Sequence, residues 1–191
     1  MSEKGLDRRR RYTQMVIKGA FIELLGERPI AKITVKEICA RADVNRATFY
    51  AHFQDSYDLL RQIEDGFVED VTLYLAASDF GTLEGEQALA SATKICEYVK
   101  ANEPLCRVLF GPNGDARFLE KAKEIIRTNF IDEWFRGSSA SGRELELILC
   151  FAIGGAIEVI QRWIENDLPE EPQEIAALVL KMASSGASAY R

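Results

Sequence analysis

The segment Ile33–Leu60 constrains the fold more than any other part of the chain, because it has the pattern of two short helices joined by a tight turn and followed by a third. Thr34 and Glu37 form a T-x-x-E pattern, in which each side chain can accept a hydrogen bond from the other residue's backbone N–H at a helix start. Asp43 stands where the chain must turn, and Asp tolerates a left-handed backbone better than most residues. Asn45 is a favourable N-cap for the second helix. The pattern predicts a helix-turn-helix.

The second of these helices, which the pattern predicts over Arg46–Phe53, has two different faces. Thr, Tyr and His side chains lie opposite Phe49 and Phe53, which we assign to the core. A second helix with a basic start and a polar, aromatic outer face is typical of a helix-turn-helix that enters the major groove of DNA.

Charge is divided unevenly along the chain, although the net charge of −6 alone argues against a DNA-binding protein. Residues 1–62 hold 12 Lys/Arg and 8 Asp/Glu, a net charge of +4, whereas the remainder holds 12 and 22, a net charge of −10. This asymmetry indicates a nucleic-acid-binding end and a separate acidic body.

Helical periodicity runs through almost every segment, with Gly and Pro between the segments. No segment of useful length alternates with period 2, so the sequence predicts an all-α protein of about nine helices. The first helix is capped by Asp7 and ends at Gly26–Pro29, and a tail from Ser184 is expected to fray. The other predicted helices are Val35–Arg41, Arg46–Phe53, Ser56–Ala77, Leu83–Ala101, one from Pro104 to near Gly111, Asp115–Arg136, Arg143–Asn166 (after a Gly137–Gly142 linker) and Pro172–Ser184.

Several classes of protein are disfavoured by what the sequence lacks. It has neither a run of about 18 apolar residues nor an apolar signal-peptide region, which predicts no membrane partner and a cytoplasmic location. Its four scattered cysteines have no metal-ligand spacing and are expected to be reduced thiols. The single His lies in the predicted DNA-reading helix, and no H-E-x-x-H, G-x-S-x-G or phosphate-binding Gly loop is present. We therefore expect no enzyme, no metal and no cofactor.

The predicted helix Arg143–Asn166 is apolar on all sides, so both sides must be covered. One side can face the core and the other a second subunit, and Gly154-Gly155 would let another helix approach closely. The alternative is a central core helix in a monomer. The predicted dimer interface comprises Phe151, Gly154, Gly155, Glu158, Trp163, Leu178 and Met182.

Ile33–Leu60, and above all the T-F-Y-x-H-F run at Thr48–Phe53, closely resembles the DNA-binding domain of TetR-type bacterial transcription regulators. The resemblance implies a helix-turn-helix domain at residues 1–54 and a helical effector-binding and dimerisation domain at 55–191. It also implies a homodimer that pairs through its last two helices as a four-helix bundle. Its partners would be double-stranded DNA with a palindromic operator and an unknown small-molecule effector.

The residues expected to contact DNA surround the predicted recognition helix. Arg46 can reach guanine, and Ala47 is small enough to allow close approach and to touch a thymine methyl. Phosphate contacts are implied for Thr48 and Tyr50, Thr34 is similarly placed for phosphate, and His52 is expected to neighbour a phosphate rather than to read a base. The alternatives are a structural His52, a packing role for Tyr50 and a solvated Arg46. The full predicted set is Thr34, Lys36, Asn45, Arg46, Ala47, Thr48, Tyr50, His52 and Ser56.

One position departs from the family pattern: Ser56 stands where such regulators often have a phosphate-binding Lys. Arg8–Arg11 could compensate by following the backbone or entering the minor groove, or could simply be the charged start of the first helix.

The most common regulatory mode in such a family is a repressor released from DNA by its effector. The alternatives are an activator acting with a protein partner, and a helical interaction dimer without specific DNA binding. The predicted effector pocket comprises Phe80, Cys96, Tyr98, Phe110, Phe130 and Trp134.

Overall fold

The computed structural model describes residues 3–76, 85–111, 115–134 and 142–188. These ranges contain nine α-helices, one short 3-10 turn and no strand, so the predicted all-α fold is confirmed for them. The helices are α1 Glu3–Glu27, α2 Val35–Arg41, α3 Arg46–Tyr50, α4 Ser56–Ala76, α5 Glu86–Ala101, α6 Glu103–Leu109, α7 Ala116–Trp134, α8 Gly142–Glu165 and α9 Pro172–Ser188.

Four helix ends differ from the sequence prediction by three residues or more, and one of them is the start of α5, at Glu86 rather than Leu83. Helix α1 begins at Glu3, so Asp7 lies inside the helix and accepts a hydrogen bond from Arg11 at 2.5 Å instead of capping it. Helix α3 ends at Tyr50 rather than Phe53, and α9 continues past Ser184 to Ser188. Most of the predicted Gly137–Gly142 linker lies outside the described residues.

The first three helices enclose a core of large apolar side chains. Phe21 of α1, Ile38 of α2 and Phe49 of α3 have no exposed surface. Arg41 of α2 pairs with Glu23 at 3.1 Å and with Glu27 at 3.0 Å, which are both on α1. Apolar burial therefore holds the small helices to α1, and the ion pairs orient α2 along it.

Helix α4 leads from this N-terminal unit into a body formed by α5–α9. Within the body α5 packs against α9, and α8 packs against α9 as its neighbour in the chain. The turn between them bends through two non-glycine residues with positive φ, Asp167 at 63° and Leu168 at 53°. Leu168 is buried, and its N–H donates to the Trp163 carbonyl at 2.9 Å. The buried side chain and this bond hold the strained turn in place.

Candidate nucleic-acid interface and ligand cavity

The start of α2 is fixed by the capping box that the sequence predicts. The Glu37 N–H donates to Thr34 Oγ1 at 3.3 Å, and the Thr34 N–H donates to Glu37 Oε2 at 2.9 Å. The Thr34 hydroxyl also donates to Glu37 Oε2 at 2.6 Å, and Arg28 donates to Glu37 Oε1 at 2.8 Å. These hydrogen bonds and the charge of Arg28 hold the pKa of Glu37 below its usual value.

The turn between α2 and α3 has the predicted left-handed residue. Asp43 has φ 51°, and the Val44 N–H donates to the Cys39 carbonyl at 3.0 Å. Asn45 then caps α3, because its Oδ1 accepts from the Thr48 N–H at 2.8 Å and from the Thr48 hydroxyl at 3.0 Å. A five-residue helix is too short to be stable alone, so this cap and the burial of Phe49 hold α3 in position.

The outer face of α3 is exposed. Arg46 and Ala47 are exposed, and Tyr50 is 56% exposed, whereas Phe49 on the inner face is fully buried. Lys36 of α2 and Asn45 at the turn are exposed as well. The structure thus leaves a guanidinium, a phenol and a methyl group exposed on α3, and an ammonium exposed on α2.

Two predicted phosphate donors already use their hydroxyl hydrogens inside the protomer. The Thr34 hydroxyl donates to Glu37, and the Thr48 hydroxyl donates to Asn45. Each hydroxyl carries a single hydrogen, so either threonine must rotate before it can donate to a phosphate. Ser56 is only 8% exposed, so its side chain offers little surface to DNA.

The chain reverses immediately after α3, at His52. The N–H groups of His52 and Phe53 both donate to the Phe49 carbonyl at 2.9 Å, and Phe53 enters the core with 1% exposure. This reversal is why α3 is shorter than predicted. His52 is half-buried, and among the described residues its buried Nδ1 has no hydrogen-bond partner.

Burial lowers the pKa of His52, and the positive charge of Arg10 lowers it further. The basic run Arg8–Arg11 forms exposed turns of α1 rather than an extended arm. It adds four guanidinium groups to the surface of the N-terminal unit.

A cavity of about 190 Å³ lies in the body, between α4, α5, α7, α8 and α9. Its wall includes two of the predicted pocket residues, Cys96 and Phe110. Tyr98 is not part of the wall, and its hydroxyl donates to Asp70 Oδ2 at 2.7 Å. Phe80 and the side chains of Phe130 and Trp134 lie outside the described residues.

Sequence reasoning based on aromatic residues missed most of the cavity wall, which is aliphatic. The usable signal is the spacing of small residues on the inner faces of helices, for example Ala152 and Ala156 on α8. The wall comprises Phe67, Val68, Val71, Ala92, Ile95, Cys96, Val99, Phe110, Ala122, Ile125, Ile126, Ala152, Ile153, Ala156, Ile157, Ile160, Ala176, Val179, Leu180 and Ala183.

The cavity is connected to the N-terminal unit through α6. Phe110 follows the last residue of α6, lines the cavity, and its carbonyl accepts from Gln161 Nε2 of α8 at 2.9 Å. Helix α6 in turn packs against α1. A displacement of Phe110 by a ligand would therefore press on the helix that supports α2 and α3.

Helices α8 and α9 share an exposed apolar surface, formed by Leu147, Phe151, Leu178 and Met182 and called here the α8–α9 face. Phe151 is 78% exposed, and the other three are about half exposed. No side chain lies within 4 Å of a Cβ built on Gly154 or Gly155. Glu158 is exposed, and its Oε1 forms an ion pair with Arg162 Nε at 3.3 Å.

Trp163 differs from the other residues predicted for the dimer interface. It is 2% exposed, and its Nε1 donates to the Glu170 carbonyl at 3.2 Å. It therefore packs inside the protomer and leaves almost no side-chain surface for a second subunit, which corrects its assignment to the interface.

Two sequence families match this chain. The family described as bacterial regulatory proteins, tetR family, matches residues 19–63, which contain α2 and α3. The family described as transcriptional regulator C-terminal region matches residues 86–185, which is more than half of the chain. The chain belongs to the tetR family of bacterial regulatory proteins. This confirms the predicted class, a TetR-type transcriptional regulator rather than an enzyme.

Individual relatives agree with this membership. An uncharacterized HTH-type transcriptional regulator, YxbF from Bacillus subtilis (strain 168), is 31% identical over 93 residues, which is 46% of this chain and 24% of YxbF. The match thus spans about a quarter of the length of that relative.

Solved structures share the fold. A TetR transcriptional regulator from Streptococcus agalactiae 2603V has a TM-score of 0.68 at 20% identity, over 95% of this chain and 99% of that one. FadR from Bacillus subtilis, in complex with stearoyl-CoA, has a TM-score of 0.61 at 21% identity, over 90% and 98% of the two chains. At these identities the likeness shows the TetR fold alone.

Two further features bear on the class of protein. Helix α8 is long and apolar enough to cross a membrane by length and composition, a weak indication that core helices of soluble proteins also give. TetR-family regulators are soluble DNA-binding proteins. Among the described residues, no group of three His, Cys, Asp or Glu side chains could hold a metal ion.

Proposed function

We propose that this chain is a cytoplasmic, homodimeric transcriptional repressor that binds a palindromic operator through α3 and leaves it when a small molecule enters the body cavity. One observation carries the proposal: α3 is capped and anchored on its inner side, while Arg46, Ala47 and Tyr50 are exposed on its outer side. An N-terminal domain at 1–54 would bind DNA, and a domain at 55–191 would bind the effector and dimerise.

The α8–α9 face supports the homodimer. Helix α8 is apolar on two sides. The protomer covers its inner side at Leu149, Ile153 and Ile157, whereas its outer side is exposed at Phe151. A second copy related by a twofold axis would cover the outer side with the same surface. Such symmetry would also present two α3 helices to half-sites about 34–36 Å apart, or a multiple of that.

The contacts from the cavity to the N-terminal unit support release by a ligand. A ligand that displaces Phe110 or the α4 residues in the wall would favour one orientation of α1 and α4, and hence one separation of the two α3 helices. Couplings of this kind are about 1–3 kcal/mol. FadR in complex with stearoyl-CoA is an example of a relative in fold that holds a small molecule.

Affinity selection of sheared genomic DNA on the purified protein tests the proposal. We expect enrichment of a short inverted repeat, retained by Arg127→Ala on α7 and lost in Arg46→Ala and Tyr50→Ala protein. Uniform recovery of DNA by all four proteins would instead support the interaction-only dimer. A reporter gene placed downstream of the recovered site then distinguishes repression from activation, since an activator would raise expression of the reporter when the protein is supplied.

A further inference from the structure

The wall of the body cavity has almost no capacity for hydrogen bonding. Every side chain in it is Ala, Val, Ile, Leu, Phe or Cys, so the Cys96 thiol is the one polar side-chain group among the described lining residues. Burial raises the pKa of Cys96 to about 12, which keeps the thiol protonated and uncharged at neutral pH. A polar or charged group placed inside would lose its hydration without a compensating partner.

The lining residues follow the length of three helices. On α8 they run from Ala152 to Ile160, which corresponds to about 12 Å of helix. On α5 they run from Ala92 to Val99, and on α9 from Ala176 to Ala183, each about 10 Å. A cavity of about 190 Å³ that extends along such a length has a narrow cross-section.

The two aromatic rings in the wall are already engaged with each other. Phe67 and Phe110 meet edge to face with ring centroids 5.9 Å apart, and both also contact Phe118, at 5.7 and 5.8 Å. No carboxylate stands among the described lining residues to accompany a cation. The wall thus lacks the paired aromatic faces and negative charge that aromatic cations require.

From this lining and shape we propose that the effector inserts a single unbranched aliphatic chain of about eight to ten carbons, as the cavity length and carbon–carbon bond lengths imply. Its one polar group stays outside the cavity. This proposal rests on the proposed function for its regulatory meaning, but not for its chemistry, since binding can be measured without DNA.

A series of 1-alkanols from hexanol to dodecanol, titrated calorimetrically into the intact protein, tests the chain-length dependence. Each added methylene is expected to strengthen binding about fourfold until the cavity is full, after which affinity reaches a plateau. 1,10-Decanediol is expected to bind at least about tenfold more weakly than 1-decanol, because its second hydroxyl would be buried without a partner. Affinity independent of chain length, or equal binding of the diol, would overturn the proposal.

Two substitutions in α5 should shift, in opposite directions, the chain length at which the affinity reaches its plateau. Ala92→Leu fills part of the cavity and should shift the plateau to shorter alcohols, whereas Ile95→Ala enlarges it and should shift the plateau to longer ones. Ala90→Leu, on the exposed side of the same helix, is the matched control and should leave the plateau unchanged. A plateau that stays in place in both cavity variants, with thermal unfolding showing them folded, would contradict the assigned site.

Release of DNA is measured separately, by anisotropy of an operator fragment recovered in the genomic selection. Alkanols that bind with the expected length dependence but leave DNA binding unchanged would preserve the ligand class and contradict effector release. Alkanols that fail to bind, beside normal operator binding, would overturn the ligand class alone.

Discussion

At the level of single residues, Glu64 of α4 is one of three described side chains with a buried polar atom that lacks a hydrogen-bond partner. Its Oε1 is buried without a hydrogen-bond partner. Burial is the main cause that raises its pKa to about 7, and the carboxylates of Asp115 and Asp65 add to it. Lys121 and Arg117 of α7 oppose the shift, and Lys121 also pairs with Asp65. The contact between α4 and α7 therefore holds an acid that is protonated below neutral pH.

The Glu64→Gln substitution should change how stability depends on pH. A carboxyl whose pKa is about 7 in the folded state and 4.5 when unperturbed, as in the unfolded chain, binds its proton more tightly when folded, so stability falls as pH rises from about 4.5 to 7. We expect Glu64→Gln to leave stability at pH 5 nearly unchanged. At pH 8 it should add about 1 kcal/mol, a value reduced because the side chain is partly exposed to solvent.

Urea unfolding at pH 5 and pH 8 measures this difference. Glu69→Gln, at an exposed position of the same helix, is the control and should have the same effect on the free energy of unfolding at pH 5 and at pH 8. An equal effect of Glu64→Gln at both pH values would show that Glu64 does not titrate in this range.

At the scale of elements, α3 depends on its cap more than a longer helix would. Asn45→Ala removes the acceptor for the Thr48 N–H and should lower the free energy of unfolding by about 1 kcal/mol. Asn45→Asp keeps an acceptor and should preserve stability, while its negative charge at the proposed DNA edge weakens DNA binding.

Chemical unfolding and operator anisotropy, measured together, separate these two effects. Loss of stability in Asn45→Asp equal to that in Asn45→Ala would contradict the capping role. Unchanged DNA affinity in Asn45→Asp would place residue 45 away from the phosphates.

The short helices could be predicted from the sequence because their signals are local. Thr34, Glu37, Asp43 and Asn45 act within a few residues of their own positions, and the structure confirms the capping box, the left-handed turn and the N-cap. The early end of α3 could not be predicted, because it follows from the packing of Phe53 into a core built by α1.

The division of α8 between core and surface could not be predicted either. An all-round apolar helix predicts that both sides are covered, but not which side belongs to the protomer, and Trp163 falls on the inner side. The cavity wall was missed for a related reason: aliphatic lining looks like ordinary core until the three-dimensional packing leaves a gap.

At the level of the whole molecule, the α8–α9 face would set the separation of the two DNA-reading helices in the proposed dimer. Phe151→Glu places a charge at the centre of that face and should convert the dimer to monomers, since an unpaired charge in an apolar interface is costly. Leu73→Glu, at an exposed position of α4, is the control.

Sedimentation velocity measures the oligomeric state of both variants, and monomeric Phe151→Glu protein should also lose operator affinity. A Phe151→Glu protein that remains dimeric would place the dimer interface elsewhere.

Whether α3 reads base sequence is tested by the affinity of wild-type, Arg46→Ala and Arg127→Ala protein for the selected operator and for a scrambled duplex at one salt concentration. We predict that Arg46→Ala costs about 1–3 kcal/mol on the operator and little on the scrambled duplex, since Arg–guanine contacts supply discrimination. Arg127→Ala should match the wild type on both. An equal loss on both duplexes, or no loss on either, would contradict the assignment of α3 as the reading helix.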